Sequence, residues 1–264
     1  MDTKINTLCI GEKKMKWFSF GNTSKEKLVV LPGLSLKSVM PSADVIVNSY
    51  SAAAEDYELY FFDRIEVFPA SYGISEMAED TYQALNQLNL NQVHIMGVSQ
   101  GGMIALKLAL AHPECVKSLT LCSSASRIRP AAYPVFEKWK QSAAEKDISS
   151  LVHAFGEAVY TPSFFKQYKD IITAIPEVSD QEYSNFITSL NGTADFDVYD
   201  QLGELKCPVS VIGAGEDRIL GREASEEIIR KLNCTGYIYE GYGHGVYDEA
   251  PGYLNRVTDF LKSI

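Results

Sequence analysis

Residues 28–31, 57–62, 93–96 and 116–122 are short runs dominated by apolar side chains, and between the later runs lie segments whose apolar positions recur at helical spacing. A strand that reads as a nearly unbroken apolar run has both faces covered, and parallel strands need a crossover, usually a helix, to join them. Together these restrict the chain to βαβ units, with helices packed on both sides of a mostly parallel sheet. The helix expected between the second and third runs opens at Ser75, with Glu76 and Glu79 in its first turn and Met77, Tyr82, Leu85 and Leu88 along its apolar stripe. The next begins at Gly102, carries Met103, Ile104, Leu106, Leu108 and Leu110, and stops at His112-Pro113 because proline cannot continue a helix. An earlier strand is expected over 16–20, closed by the turn signal Gly21-Asn22.

From about Ser126 to Asp200 this rhythm stops. Trp139, Phe155, Tyr160, Phe164, Phe165, Tyr168, Ile172, Phe186 and Phe196 lie in segments of helical character, with no strand signals between them. The alternation resumes with a strand over 209–212, a helix over 224–232, a strand over 237–239 and a last helix after Pro251. The expected organisation is therefore an α/β core from 1–125 and 201–264, interrupted by a helical insertion at 126–200. With 264 residues, 46% of them hydrophobic, there is ample material for one large core.

A formal net charge of -10 repels phosphate backbones and anionic lipid surfaces, so a small molecule is the expected partner rather than nucleic acid or membrane. Oligomeric state is left open. The five cysteines are scattered without C-x-x-C pairs, which suggests neither a zinc site nor a redox dithiol; Cys122 and Cys207 sit in apolar runs and read as buried. The start, Met1-Asp2-Thr3-Lys4-Ile5-Asn6, has no basic flank followed by an apolar stretch, and no run of about 18 apolar residues occurs, so a cytoplasmic location is expected.

The chemistry concentrates in Gly97-Val98-Ser99-Gln100-Gly101, a G-x-S-x-G pentapeptide between the run at 93–96 and the helix that follows. A serine at such a strand-to-helix turn is held so that its hydroxyl projects from the sheet, which makes Ser99 the candidate nucleophile. A serine hydroxyl is a poor nucleophile at neutral pH and needs a base, which in turn needs an orienting acid. Of the four histidines, His94 lies inside a strand, His112 at a helix end and His153 in the insertion; His244 alone sits in a glycine-rich loop between the last strand and the last helix. The acid is expected to follow a strand end, as Asp217 does after 209–212, with Glu216 and Asp248 as competitors; the loop after 116–122 reads Ser123-Ser124-Ala125 and offers no carboxylate. Gly213-x-Gly215 lacks the third glycine of a dinucleotide fingerprint, and no phosphate loop, zinc-protease or calcium-loop pattern occurs, so no cofactor or metal is implied.

On Ser99, Asp217 and His244, taken in that chain order, and on the helical interruption between them, the sequence resembles the capped serine hydrolases of the α/β-hydrolase-fold superfamily. The resemblance is densest over 72–124 and 209–251. It implies a mostly parallel central sheet with a helical cap and a catalytic triad of these three residues. It also implies an oxyanion hole from the backbone N–H groups of Gln100 and of Leu34 in Pro32-Gly33-Leu34-Ser35. The chain departs from the family's His-Gly at Pro32-Gly33, and its Asp-x-Arg-Gly-x-Gly-x-Ser stretch survives only as Asp63-Arg64 and Tyr72-Gly73-Ile74-Ser75. The expected reaction is hydrolysis of a carboxylic ester, thioester or lactone with a partly apolar group. A carbon-carbon bond hydrolase, acyltransferase or perhydrolase on the same triad is the alternative, and a non-catalytic receptor on the same fold the rival of another class.

Overall fold

The computed structural model describes residues 3–174 and 177–264, so Met1 and Asp2 of the N-terminal stretch lie outside it. Eight strands form one sheet: β1 (Asn6–Ile10), β2 (Lys13–Gly21), β3 (Lys27–Leu31), β4 (Glu58–Ile65), β5 (Val93–Val98), β6 (Val116–Cys122), β7 (Val209–Ala214) and β8 (Thr235–Tyr239). Their order is β1-β2-β4-β3-β5-β6-β7-β8, antiparallel at the β1-β2 and β2-β4 pairs and parallel elsewhere. Central β5 and β7 are buried at every position, as their mostly apolar sequences favour, His94 and Ser210 being the buried polar exceptions, whereas edge strand β1 alternates and edge strand β8 is largely exposed.

The helices are α1 (Ala43–Ser49), α2 (Ser51–Ala54), α3 (Ile74–Gln87), α4 (Gln100–Ala111), α5 (Tyr133–Ala144), α6 (Ile148–Val159), α7 (Pro162–Ile172), α8 (Asp180–Ala194), α9 (Arg222–Leu232), α10 (Val246–Glu249) and α11 (Tyr253–Lys262). Side chains alternate across the sheet with period two. Val29 and Leu31 join the apolar cluster under α3, α4 and α9, while Leu28 and Val30 join the one that contains α11. The first cluster also takes in Phe136, Trp139, Leu151, Phe186 and Leu190, so α5, α6 and α8 share a core with one face of the sheet.

Three expectations change in detail. Helix α3 is capped at Gly73 rather than opened at Ser75: the Glu76 carboxylate accepts the Gly73 N–H at 2.9 Å, and Ile74 enters the core while Ser75 faces solvent. Helix α4 starts at Gln100, two residues before the expected Gly102. Cys122 is fully buried as expected, and burial pushes its thiol up to about 12, but Cys207 is only half-buried. Among the described residues no helix is long and apolar enough to cross a membrane.

Candidate active site

The order β4-β3-β5 marks the point where successive crossovers change direction along the sheet. In open α/β sheets the crevice beyond the carboxyl ends of the strands at such a point is where ligands bind. Here the loop after β3, Pro32-Gly33-Leu34, meets Ser99 at the end of β5. A Cβ added to Gly33 would stand 3.3 Å from Cβ of Ser99.

Ser99 has φ 50 and ψ -118, a backbone region that a side chain adopts only under strain of about 1–3 kcal/mol. Its surroundings leave no alternative. The Ser99 N–H donates to the Cys122 carbonyl at 2.8 Å, and its own carbonyl accepts from the Ser124 hydroxyl at 2.8 Å. Glycine is required on either side by close approach: a Cβ on Gly97 would lie 2.5 Å from the Gly101 carbonyl oxygen, and one on Gly101 would lie 2.0 Å from that of Leu31.

His244 Nε2 is 2.9 Å from Ser99 Oγ, and its Nδ1 is 2.7 Å from Asp217 Oδ2. The other carboxylate oxygen of Asp217 accepts the N–H groups of Ile219 and Leu220 at 2.8 and 2.9 Å, which leaves Oδ2 for the imidazole. Both side chains are only 4% exposed. Burial pushes the Asp217 carboxyl up, but the charge and hydrogen bond of His244 and the two amides outweigh it and hold the group below the usual carboxylate range.

The competing residues lie elsewhere. Glu216 faces solvent. Asp248 accepts the Tyr160 hydroxyl at 2.8 Å, and its neighbour Glu249 binds the N–H and hydroxyl of Thr161 at 3.1 and 2.5 Å. With the Gly245 N–H on the Val159 carbonyl at 2.8 Å, these bonds tie the His244 loop to the junction of α6 and α7. His94 is enclosed between Ser118 and Glu26, His112 pairs with Glu79 at the surface, and His153 packs along α6.

Gln100 and Leu34 both line the small chamber beside Ser99, about 40 Å³ in volume, which Phe136, Trp139, Phe155, Val159 and Thr193 wall from the inserted helices. The Gln100 side chain donates to Ser189 Oγ and Thr193 Oγ1, each at 2.7 Å, pinning α8 to the serine turn. Arg64 reaches the same place from the end of β4, donating to the Pro32 carbonyl at 2.8 Å and to Gln100 Oε1 at 3.5 Å. Its Nε is buried without a partner among the described residues, and burial pulls the guanidinium below its usual range. Sequence reasoning met Arg64 only as the remnant of a motif and overlooked Ser189 and Thr193. Their four-residue spacing on one helix face was the available signal.

A hydrogen-bonded serine, histidine and aspartate at the carboxyl edge of such a sheet defines a hydrolase class. The chain belongs to the alpha/beta hydrolase fold family, whose model matches residues 48–251. It is 25% identical over 198 residues to an Agrobacterium fabrum protein provisionally named carbamate hydrolase RutD, covering 73% of this chain and 76% of that one. A hydrolase from Pseudomonas aeruginosa superposes with a TM-score of 0.85 at 18% identity, covering 98% of both chains. The enol-lactonase of Burkholderia xenovorans does so with a TM-score of 0.85 at 16% identity, covering 97% of this chain and 100% of that one.

Proposed function

We propose that the chain hydrolyses a carboxylic ester, thioester or lactone of a small to medium, partly apolar molecule through an acyl-serine. His244 Nε2 takes the Ser99 hydroxyl proton as Oγ bonds to the carbonyl carbon, Asp217 holds the imidazolium, and the N–H groups of Leu34 and Gln100 receive the oxyanion. Collapse breaks the bond to the leaving group, which departs with the proton from His244. Water, deprotonated by the same imidazole, then attacks the acyl-serine; the acid leaves and Ser99 recovers its proton. The observation that carries this reading is the single imidazole bridging Ser99 Oγ at 2.9 Å and Asp217 at 2.7 Å. Residues 126–200 act in it as a cap, because helices from this stretch wall the chamber beside Ser99.

Similarity to proteins named for carbamate hydrolysis favours one second reading, attack of the same serine on a carbamate carbonyl. Fluorophosphonate labelling, followed by turnover of a panel of aryl esters and aryl carbamates, tests both. A single label at Ser99 is expected, with Ser99→Ala losing the label and about 10⁴-fold or more of the turnover. Turnover retained by Ser99→Ala would refute the serine mechanism. An unlabelled protein that binds a small molecule tightly would point to a receptor.

A further inference from the structure

The chamber at Ser99, about 40 Å³, holds the reacting carbonyl group and little else, since one water already needs some 10–15 Å³ by this measure. The remainder of a substrate must extend beyond it. Next to the chamber lies an apolar cleft of about 300 Å³, walled by Leu36, Leu151, Val152, Ile172 and Phe186, and Leu34 and Phe155 line both spaces. A group leaving Ser99 past Leu34 and Phe155 therefore enters the cleft.

The mechanism assigns a direction. The leaving group must stand within reach of His244 Nε2, which protonates it; Ile219 and Leu220, whose N–H groups bind Asp217, and Tyr247, three residues after His244, line the chamber from these two loops. None of these residues lines the cleft. Leu34 and Phe155, which line both spaces, belong to neither of the loops that carry Asp217 and His244. Lys37, the one charged residue lining the cleft among the described residues, is already engaged: its ammonium donates to the Glu177 carbonyl and stands 3.5 Å from the Glu182 carboxylate. An acidic chain end is not called for.

We propose that this cleft is the acyl-chain site, and that the acid half of the substrate is an uncharged aliphatic chain longer than butyrate. The assignment rests on the acyl-serine reading above and names its substrate class. Each methylene buried in the cleft raises kcat/KM by about fourfold, the equivalent of its transfer from water.

The test uses p-nitrophenyl esters from acetate to dodecanoate, and acetates of alcohols of increasing length, on the wild type, on Val152→Trp and on Ala174→Phe. Val152 lines only the cleft, and Ala174 lies at its exposed end. In the wild type the acyl profile is expected to peak at a chain longer than butyrate. Either filled variant moves the peak to butyrate or shorter, keeps kcat/KM for acetate within about twofold, and leaves the alcohol profile unmoved. An acyl profile that neither variant alters, or an alcohol profile that shifts instead, overturns the assignment alone. A wild type that turns over no ester defeats the hydrolase reading, and the assignment with it.

Discussion

Ser99, His244 and Asp217 each depend on a backbone feature that does not belong to the chemistry. Ser99 holds a strained φ because Gly97 and Gly101 let strand, helix and the loop after β3 close around it. Asp217 presents one oxygen to His244 because two amides occupy the other. Asp217→Asn keeps the size but puts an amide against His244 Nδ1, which favours the wrong tautomer; kcat is expected to fall by about 10⁴-fold with KM little changed. The same variant reads out pH-linked stability. Because the folded-state pKa of Asp217 is depressed, its ionised form contributes stability that is fully present above the unfolded value of about 3.9 and is lost as pH falls through the lower folded value. The stability gap between wild type and Asp217→Asn in urea titrations is therefore expected to be full near neutrality and to narrow below about pH 4. A gap constant through acid would remove the linkage. At this scale the sequence was legible: a G-x-S-x-G turn and a histidine between glycines are local patterns. The rejection of Glu216 and Asp248 was not local, because it required knowing that Asp248 meets Tyr160.

Between elements, the proposed oxyanion donors are held by groups from three places. The loop after β3 carries Leu34, the start of α4 carries Gln100, and Arg64 at the end of β4 bonds to both segments while Gln100 bonds to α8. This cation has no ion pair among the described residues, so its hydrogen bonds to the Pro32 carbonyl and Gln100 are its anchors. Arg64→Met is expected to reduce kcat by about 10- to 100-fold through misplaced donors, with KM changed far less. Binding of a boronic acid transition-state analogue should weaken in parallel, and Arg64→Lys, which keeps one donor, should recover part of the loss. Equal kcat in Arg64→Met and wild type would leave Arg64 a purely structural role. Sequence periodicity found α3, α4 and the helices between β6 and β7, but misjudged where α3 and α4 begin. Helix starts are decided by which group satisfies the first free N–H groups, and at α3 that was Glu76 reaching back to Gly73.

Across the whole molecule, helices α5, α6 and α8 share one apolar cluster with β3, β5, β6 and β7; Trp139 in α5 belongs to it, and Trp17 on the sheet packs against it. Two bodies with one continuous core unfold together. The single-tryptophan variants Trp17→Phe and Trp139→Phe are expected to report the same urea midpoint by fluorescence. Midpoints that separate would show that residues 126–200 unfold on their own. What the sequence determined by itself was the repeating part of this protein: short, nearly unbroken apolar runs and apolar positions at helical spacing dictate which segments become buried strands and flanking helices, and the glycines around Ser99 dictate a sharp turn between two of them. Those properties are local, because they depend on neighbours a few residues apart. Only the tertiary structure decided which acid meets His244, that Arg64 and Gln100 tie the loop after β3 to α8, and that an apolar cleft opens beside Leu34 and Phe155. Each of these joins residues far apart in the chain, and their meeting is set by how the inserted helices pack on the sheet, a free energy summed over the whole core that no short stretch of sequence contains.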